Sequence, residues 1–352
     1  MGGDRTVLES MANVSAWNNT DTGEFSLLVP LGLIAILRVI LCCFFCLGVV
    51  GNVLTITSIA MTRSLQSVPN IYLCSLAASD LTLCTFAMPS TFVGYTVHIP
   101  DELCGVLAEV IFTCITVSLM SITMVAVNRY VLVVKPRHYY VTIYTTRNVK
   151  ISIATIWLLG LLYGTPPHFG FGEYVYNHKM GGCFARGDTF DSWLFLKIFG
   201  GGLSLFPAML VSLFCYISIG ITFSRSRAKV SNAPADQQTQ TCSSVIQQPG
   251  AATAATSSVG PSNEKKPDTA ARRKSTVTLL KKLAIVWGLF MCCWLPLALT
   301  HSADLTGQVD PRVLHVAFAL AQCNSAMNVI TYGALSKDIR AAYRRTLRCK
   351  RA

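Results

Sequence analysis

Residues 125–136 read VAVNRYVLVVKP, an apolar run that stops at Asn128-Arg129-Tyr130 and leads into a basic loop. An arginine is tolerated at the end of an apolar helix because its long side chain can reach the boundary between lipid and water, or accept a partner there. The segment therefore predicts a membrane-spanning helix that ends close to Arg129. The asparagine before this arginine needs a separate explanation.

The composition of the whole chain is that of a membrane protein. Of its 352 residues, 52% are hydrophobic and only 13% are charged, whereas soluble proteins carry about 25% charged residues. Apolar runs of about 20 residues or more, the length that crosses a bilayer, lie at 32–61, 71–96, 106–134, 149–168, 193–222, 277–300 and 311–335. The sequence therefore predicts an all-α membrane protein, a bundle of seven transmembrane helices.

The distribution of basic residues predicts the orientation of this bundle. Twenty-two of the 29 Lys and Arg residues lie in the segments 62–69, 135–150, 224–282 and 335–352. Loops rich in Lys and Arg remain on the cytoplasmic side of a membrane. We therefore expect an extracellular N-terminus and a cytoplasmic C-terminus. The net charge of +12 is explained by this topology, and no nucleic-acid partner is expected.

The segment before the first span, residues 1–31, predicts an extracellular tail. Asn13 and Asn18 begin N-x-S/T sequons there and are candidate glycosylation sites. The tail contains no apolar signal sequence, so the first span would direct the chain to the membrane. Residues 32–335 form the predicted seven-transmembrane domain.

Two other segments lie on the predicted cytoplasmic side. Residues 225–275 have a low-complexity composition that predicts a disordered third cytoplasmic loop with Ser and Thr available to kinases. Residues 336–352 predict a short amphipathic cytoplasmic helix and a tail. The apolar face of this helix would comprise Ile339, Ala342, Tyr343, Thr346 and Leu347. Cys349 is a candidate for palmitoylation, and an unmodified thiol is the alternative.

Most of the 14 cysteines lie inside the spans, and two lie on the predicted extracellular side. Cys104 stands at the outer start of the third span, and Cys183 stands in the exterior loop between the fourth and fifth spans. Disulfides persist on the oxidising side of the membrane. We therefore expect these two cysteines to be bonded to each other.

Several polar residues lie inside the spans, where they are costly and often functional. They are Asp80 in the second span, Ser118 in the third, and Asn324, Ser325 and Asn328 in the seventh. Oxygen atoms grouped around a carboxylate can coordinate a small, hard cation. The same residues are equally compatible with a hydrogen-bond network that only holds helices together.

Motifs in six of the spans resemble those of the rhodopsin-like (class A) G-protein-coupled receptors. They are Gly51-Asn52, Leu76 with Asp80, Cys104 with Arg129, Trp157, Cys293-Trp294-Leu295-Pro296 and Asn328-Val329-Ile330-Thr331-Tyr332. The segment NSAMNVITYGALSKDIRAAYRR is similar to melatonin receptors and insect moody-type orphan receptors. The resemblance implies a plasma-membrane receptor, not an enzyme, that senses an extracellular ligand and activates heterotrimeric G proteins. Kinases and arrestin would bind its cytoplasmic loop and tail.

The resemblance also implies roles for individual residues. Asp80, Ser118, Asn324, Ser325 and Asn328 would hold an allosteric sodium ion, with no other cofactor. Phe290, Trp294, Pro296 and Tyr332 would form the activation switch, and Asn128, Arg129 and Tyr130 would face the G protein. One departure is that the tyrosine expected after Pro207 falls one residue late, at Tyr216, with Cys215 in its place.

The predicted ligand pocket is mostly apolar, as expected for a small hydrophobic ligand. Its wall would comprise Ile111, Phe112, Ile115, Phe184, Leu297, His301, Phe318 and Gln322; some of these are alternatively packing residues, and His301 is alternatively a surface histidine at a helix end. Amine receptors need an aspartate at the position of Ile111, and opsins need a lysine at the position of Gln322. A biogenic amine and retinal are therefore both unexpected.

The residue before Arg129 is an acid in most of this superfamily, and that acid holds the arginine in the resting state. Here it is Asn128, and residues 272–282, RRKSTVTLLKK, contain no acid either. The sequence therefore predicts a weakly held resting state and signalling without ligand. The alternatives are a receptor-shaped adhesion or scaffold protein without G-protein coupling, and a secondary transporter, for which the expected repeats are absent.

Overall fold

The computed structural model describes residues 29–177, 180–186, 189, 194, 205–231, 285–300 and 309–348. The candidate glycosylation sites Asn13 and Asn18, the candidate lipidation site Cys349 and the candidate pocket residue His301 lie outside these ranges. So does most of the predicted third cytoplasmic loop.

In the described part of the chain, seven helices lie within or overlap the seven predicted spans. They are α1 (Leu31–Met61), α2 (Val68–Gly94), α3 (Asp101–Val134), α4 (Thr146–Gly164), α5 (Leu205–Ser231), α6 (Ile285–Thr300) and α7 (Pro311–Leu335). Among the described residues, α1, α2, α3, α5 and α7 are long and apolar enough to cross a membrane, and α6 is a shorter apolar helix. Helix α5 continues past residue 225, where the loop was predicted to begin, because SRSRAKVS contains no helix-breaking residue.

The bundle is arranged around α3, which contacts α2, α4 and α5. Helix α1 packs on α2 and α7 and turns much of its surface outward: Leu31, Val39 and Val50 are each more than 60% exposed. An exposed apolar surface of this size is expected where lipid, not water, covers the protein.

Helix α2 has a widened turn directly before Pro89. Residues Leu83–Ala87 are π-helical, and the Met88 amide donates to the Leu83 carbonyl, five residues back. Proline lacks the amide hydrogen that would continue the α-helical pattern, and single π-turns relieve such breaks. The turn directs Leu83 and Ala87 into the bundle, where both are buried.

A β-hairpin follows α4 and the 3-10 turn Pro166–Phe169, and it was missing from the all-α prediction. Strands β1 (Glu173–Asn177) and β2 (Gly182–Arg186) pair antiparallel, with Tyr176 opposite Cys183. The Cys104–Cys183 disulfide is confirmed and ties the hairpin to the start of α3. We call this end of the bundle the disulfide end, and the opposite end, with Arg129, the arginine end.

The arginine end carries two short helices, Arg137–Ile143 and α8 (Lys337–Leu347). Helix α8 is the predicted amphipathic helix, and its residues Ile339 and Ala342 are buried. It lies against α1, where the hydroxyls of Thr55 and Tyr343 are 2.6 Å apart and those of Ser58 and Thr346 are 2.9 Å apart. Leu347, predicted on the apolar face, is 69% exposed.

Candidate functional site: a polar centre, a cavity and a buried arginine

The centre of the bundle holds Asp80, which is fully buried. Ser118 of α3 donates to its Oδ1 at 3.0 Å, and Asn328 of α7 donates to its Oδ2 at 2.8 Å. Ser79 extends the network, 2.9 Å from Ser118. A buried carboxylate requires such donors because hydrocarbon offers none, so Asp80 links α2, α3 and α7 through hydrogen bonds.

The predicted α7 residues Asn324 and Ser325 are buried at the same level. Asn52 of α1 donates its side-chain amide to the Ser325 carbonyl at 3.2 Å and to the Gly48 carbonyl at 3.0 Å. The structure therefore brings together Asp80, Ser118, Ser325 and Asn328, and Asn324 is buried on the same helix as the last two. The carboxylate and hydroxyl oxygens fit a small, hard cation, although Asn328 directs its nitrogen toward Asp80.

A small cavity of about 20 Å³ lies next to this centre, on the side of the disulfide end. Its lining is Leu83, Ala87, Met88, Ile111, Ile115, Trp294, Phe318, Ala321, Gln322 and Ser325. Four of the predicted pocket residues are therefore present, namely Ile111, Ile115, Phe318 and Gln322. The α2 residues were missed, because the widened turn that presents them depends on the three-dimensional fold.

The cavity contains two buried polar atoms without hydrogen-bond partners in the described part of the chain. These are the indole nitrogen of Trp294 and the Oε1 atom of Gln322. The Gln322 amide nitrogen donates to Thr91 at 2.8 Å, which fixes the orientation of the side chain. The volume is enough for about one water molecule, which could bond to both atoms.

The other predicted pocket residues lie nearer the disulfide end or outside the cavity. The rings of Phe184 and Phe318 are 4.9 Å apart, and Leu297 is buried in the same cluster. Phe112 does not line the cavity.

Sequence reasoning missed a buried polar contact between α2 and α7. Tyr95 stacks on His315, with ring centroids 5.1 Å apart, and His315 is fully buried. The signal was present in the spacing: His315 and Gln322 are two helical turns apart on α7, and Thr91 and Tyr95 are four residues apart at the end of α2.

Contacts between α3, α5, α6 and α7 surround the predicted activation switch. Phe290 is buried, with its ring centroid 6.1 Å from that of Trp294, and it shares an apolar cluster with Tyr332. The hydroxyl of Tyr332 is buried without a partner among the described residues.

The Tyr216 ring, one residue later than expected, lies 6.3 Å from Trp287 of α6. Pro296 lies in α6 one turn before Thr300, whose hydroxyl donates to the Pro296 carbonyl at 2.8 Å.

The arginine end contains unusual buried polar groups. Asn128 is fully buried, and its side-chain amide makes no hydrogen bond to the described residues, although the Tyr144 side chain is close. The Nε atom of Arg129 is also buried without a partner, and no described carboxylate lies within ion-pair distance of it. Tyr130 packs on Phe214, with ring centroids 5.6 Å apart.

This arrangement of helices and motifs is that of a known receptor family. The family model described as 7 transmembrane receptor (rhodopsin family) matches residues 51–332. The chain is 29% identical to the alpha-1D adrenergic receptor of Rattus norvegicus over 331 residues, which cover 89% of this chain and 57% of that receptor. It is 26% identical to the melatonin receptor type 1B of Homo sapiens, covering 85% and 74% of the two chains.

A solved structure gives the same fold. The crystal structure of squid rhodopsin matches with a TM-score of 0.69 and 19% identity, over 91% of this chain and 87% of the other. The chain therefore belongs to the rhodopsin family of seven transmembrane receptors, and it is a multi-pass membrane protein. It spans little more than half the length of the adrenergic relative.

Proposed function

We propose that this protein is a plasma-membrane receptor that senses a small, largely apolar extracellular ligand and activates heterotrimeric G proteins. The disulfide end would face outward and the arginine end would face the cytoplasm, since Lys and Arg are concentrated at the arginine end. Family membership supports the coupling, and kinases and arrestin would bind the same end after activation.

The lining of the cavity supports an apolar ligand. The adrenergic relative is named for an amine ligand, but Ile111 offers no carboxylate to an ammonium group. The acid nearest along α3, Glu109, lies 3.6 Å from His168 and beside Gly164, away from the cavity. A ligand would instead contact apolar side chains and a few hydrogen-bonding atoms, those of Trp294 and Gln322.

The observation that carries the proposed signalling behaviour is the absence of a carboxylate beside Arg129 in the described part of the chain. A hydrogen bond between two charged groups is about twice as strong as one between neutral groups. Asn128 cannot form such a bond, so the resting state would be held weakly. We therefore expect appreciable G-protein activation without ligand.

Nucleotide exchange on purified G proteins tests this proposal. Receptor in lipid nanodiscs should accelerate exchange on at least one G-protein class without ligand, and Arg129→Ala should change that rate severalfold. Arg63→Ala, an exposed arginine at the same end, is the matched control and should leave the rate unchanged. If no G protein responds to the receptor, with or without lipid and indole libraries, the scaffold alternative is favoured.

We further propose that the polar centre binds sodium. The carboxylate of Asp80 and the hydroxyls of Ser118 and Ser325 would supply oxygen ligands, and Asn324 and Asn328 would complete the site. Sodium binding requires Asn328 to exchange its present hydrogen bond to Asp80 for a contact with the ion or its water. The ion would stabilise the resting state that Asn128 leaves weak.

A further inference from the structure

Met180, two residues before β2, inserts into the disulfide end of the bundle. Met180 is only 2% exposed and belongs to a buried apolar cluster. The other buried members of that cluster are Leu297 of α6 and Leu314, Ala317, Phe318 and Ala321 of α7. We call the space that the Met180 side chain fills the methionine slot.

Gly181 and Gly182, which follow Met180, fit closely against the surrounding residues, and this fit fixes the position of Met180. Gly181 has a φ of +65°, and a Cβ atom there would lie 2.5 Å from the Tyr95 ring. A Cβ atom on Gly182 would lie 3.0 Å from Phe318, and one on Gly94 would overlap the Gly181 carbonyl. Glycine is required at Gly181 both by its backbone conformation and by this close approach.

The two strands of the hairpin are also anchored to the bundle. The disulfide to Cys104 holds β2, and the Tyr174 hydroxyl of β1 donates to the Gly164 carbonyl at 2.5 Å. The Tyr176 hydroxyl donates to the Gly94 carbonyl, and burial raises the pKa of Tyr176 to about 12, so this donor stays protonated at neutral pH. Met180 is thus held in the slot from both strands.

The methionine slot lies next to the cavity, because Phe318 and Ala321 border both. Pockets for small ligands usually measure about 300–1,000 Å³, whereas the cavity that Phe318 and Ala321 line is about 20 Å³. A ligand that enters from the disulfide end must therefore take space that hairpin side chains now occupy. Methionine is unbranched and apolar, so the space it leaves has the same shape and chemistry.

We propose that the methionine slot is a subsite of the ligand pocket and that it takes an unbranched alkyl or thioether chain once Met180 withdraws. Met180 is the resident occupant and competes with the ligand. The inference rests on the proposed receptor function, because it specifies the ligand of that same site. It adds a shape requirement that the apolar lining alone does not impose: a linear chain fits, and a ring or a charged group does not.

Tethered chains on Met180→Cys test the slot directly in purified receptor, without any G protein. Methyl, n-propyl, benzyl and trimethylammonium-ethyl methanethiosulfonates each form a disulfide with the cysteine thiolate and release methanesulfinate. The methyl reagent produces a side chain as long as methionine. Labelling is followed by mass spectrometry, and stability by the melting temperature. Val97→Cys, where the native side chain is 54% exposed, is the matched control.

We expect Met180→Cys to lower the melting temperature by about 2–6 °C. The methyl and n-propyl adducts should recover at least half of that loss, whereas the benzyl and charged adducts should recover none. Val97→Cys should react with all four reagents without a change in melting temperature. Equal effects of all four adducts at position 180, or no recovery with either linear chain, would overturn the proposal.

A second variant covers the case in which Met180→Cys does not fold. Met180→Leu preserves the volume but adds a branch, and it should melt about 2–4 °C below the wild type. A melting temperature equal to or above that of the wild type would contradict a slot for linear chains. Because none of these measurements involves a G protein, failure of coupling and failure of the slot are observed separately.

Discussion

The side chain of Asn128 distinguishes this receptor. Asn128 is fully buried next to Arg129 at the end of α3, in the position that a carboxylate occupies in most of the family. As a neutral amide, Asn128 offers the Arg129 guanidinium no hydrogen bond between charged groups. It therefore supplies no attraction that would favour the resting state over the active one.

Replacing this amide by a carboxylate should restore the missing attraction. We expect Asn128→Asp to lower the ligand-free rate of nucleotide exchange by about fivefold, which corresponds to about 1 kcal/mol from one charge-assisted hydrogen bond. Asn128→Ala, which offers Arg129 no partner either, is the control and should not lower the rate. An unchanged or increased rate in Asn128→Asp would show that Arg129 does not depend on its neighbour.

At the scale of helices, α1 and α7 approach closely at Gly51 and Val329. The β-branched side chain of Val329 lies where a Cβ atom on Gly51 would have to be, and it is 7% exposed. The family resemblance implies a proline at position 329, so the valine is a feature of this chain. The Val329 side chain fills the space that Gly51 leaves, so the two helices are complementary in shape at this point.

This shape complementarity predicts that substitutions at positions 51 and 329 have coupled effects on stability. Gly51→Ala should destabilise the receptor by about 1–3 kcal/mol, because overpacking forces neighbouring atoms to move. Val329→Ala in the same chain should recover most of this loss, and melting temperatures of the two single variants and the double variant measure the coupling. Gly32→Ala, where a new Cβ meets nothing within 4 Å, should be neutral. Additive effects at positions 51 and 329 would contradict the contact.

At the scale of the whole molecule, the Asp80 network joins helices that are far apart along the chain. Ser118 is 38 residues and Asn328 is 248 residues from Asp80. A cation bound here would act on α2, α3 and α7 together. Its effect should therefore be a change in the stability of the whole bundle.

Sodium should raise the melting temperature of the purified receptor. At a concentration ten times the dissociation constant, binding contributes about 1.4 kcal/mol, or about 3–6 °C, relative to choline chloride at equal ionic strength. Asp80→Asn should remove this dependence, whereas Glu102→Gln, an exposed acid at the disulfide end, should retain it. The same sodium effect in Asp80→Asn and the wild type would place the ion elsewhere.

The sequence predicted the features that depend on local pattern. Apolar runs of sufficient length marked the spans, the amphipathic spacing of Ile339 and Ala342 marked α8, and two cysteines on one side of the membrane marked the disulfide. These signals are strong because lipid forces the backbone into helices and leaves few alternatives.

The features that sequence did not predict depend on contacts between distant residues. The insertion of Met180 requires the disulfide, the bond from Tyr176 and the bare backbone of Gly181 together, and none of these alone indicates it. The first strand could have been predicted from the sequence, because Tyr174, Val175 and Tyr176 favour extended structure. The widened turn before Pro89 likewise follows from how α2 packs, not from proline alone.

The two hydroxyl contacts between α1 and α8 can form only late in synthesis of the protein, because their partners are far apart in sequence. Thr55 and Ser58 are each 288 residues from their partners Tyr343 and Thr346. At about 5–20 residues per second, a ribosome needs about 15–60 s to travel that distance. By contrast, Arg38 at the other end of α1 contacts Phe92 of α2 and Thr96 just after α2, both within 58 residues. One end of α1 is thus secured soon after α2 has been synthesised, and the other end only after α8 has been synthesised.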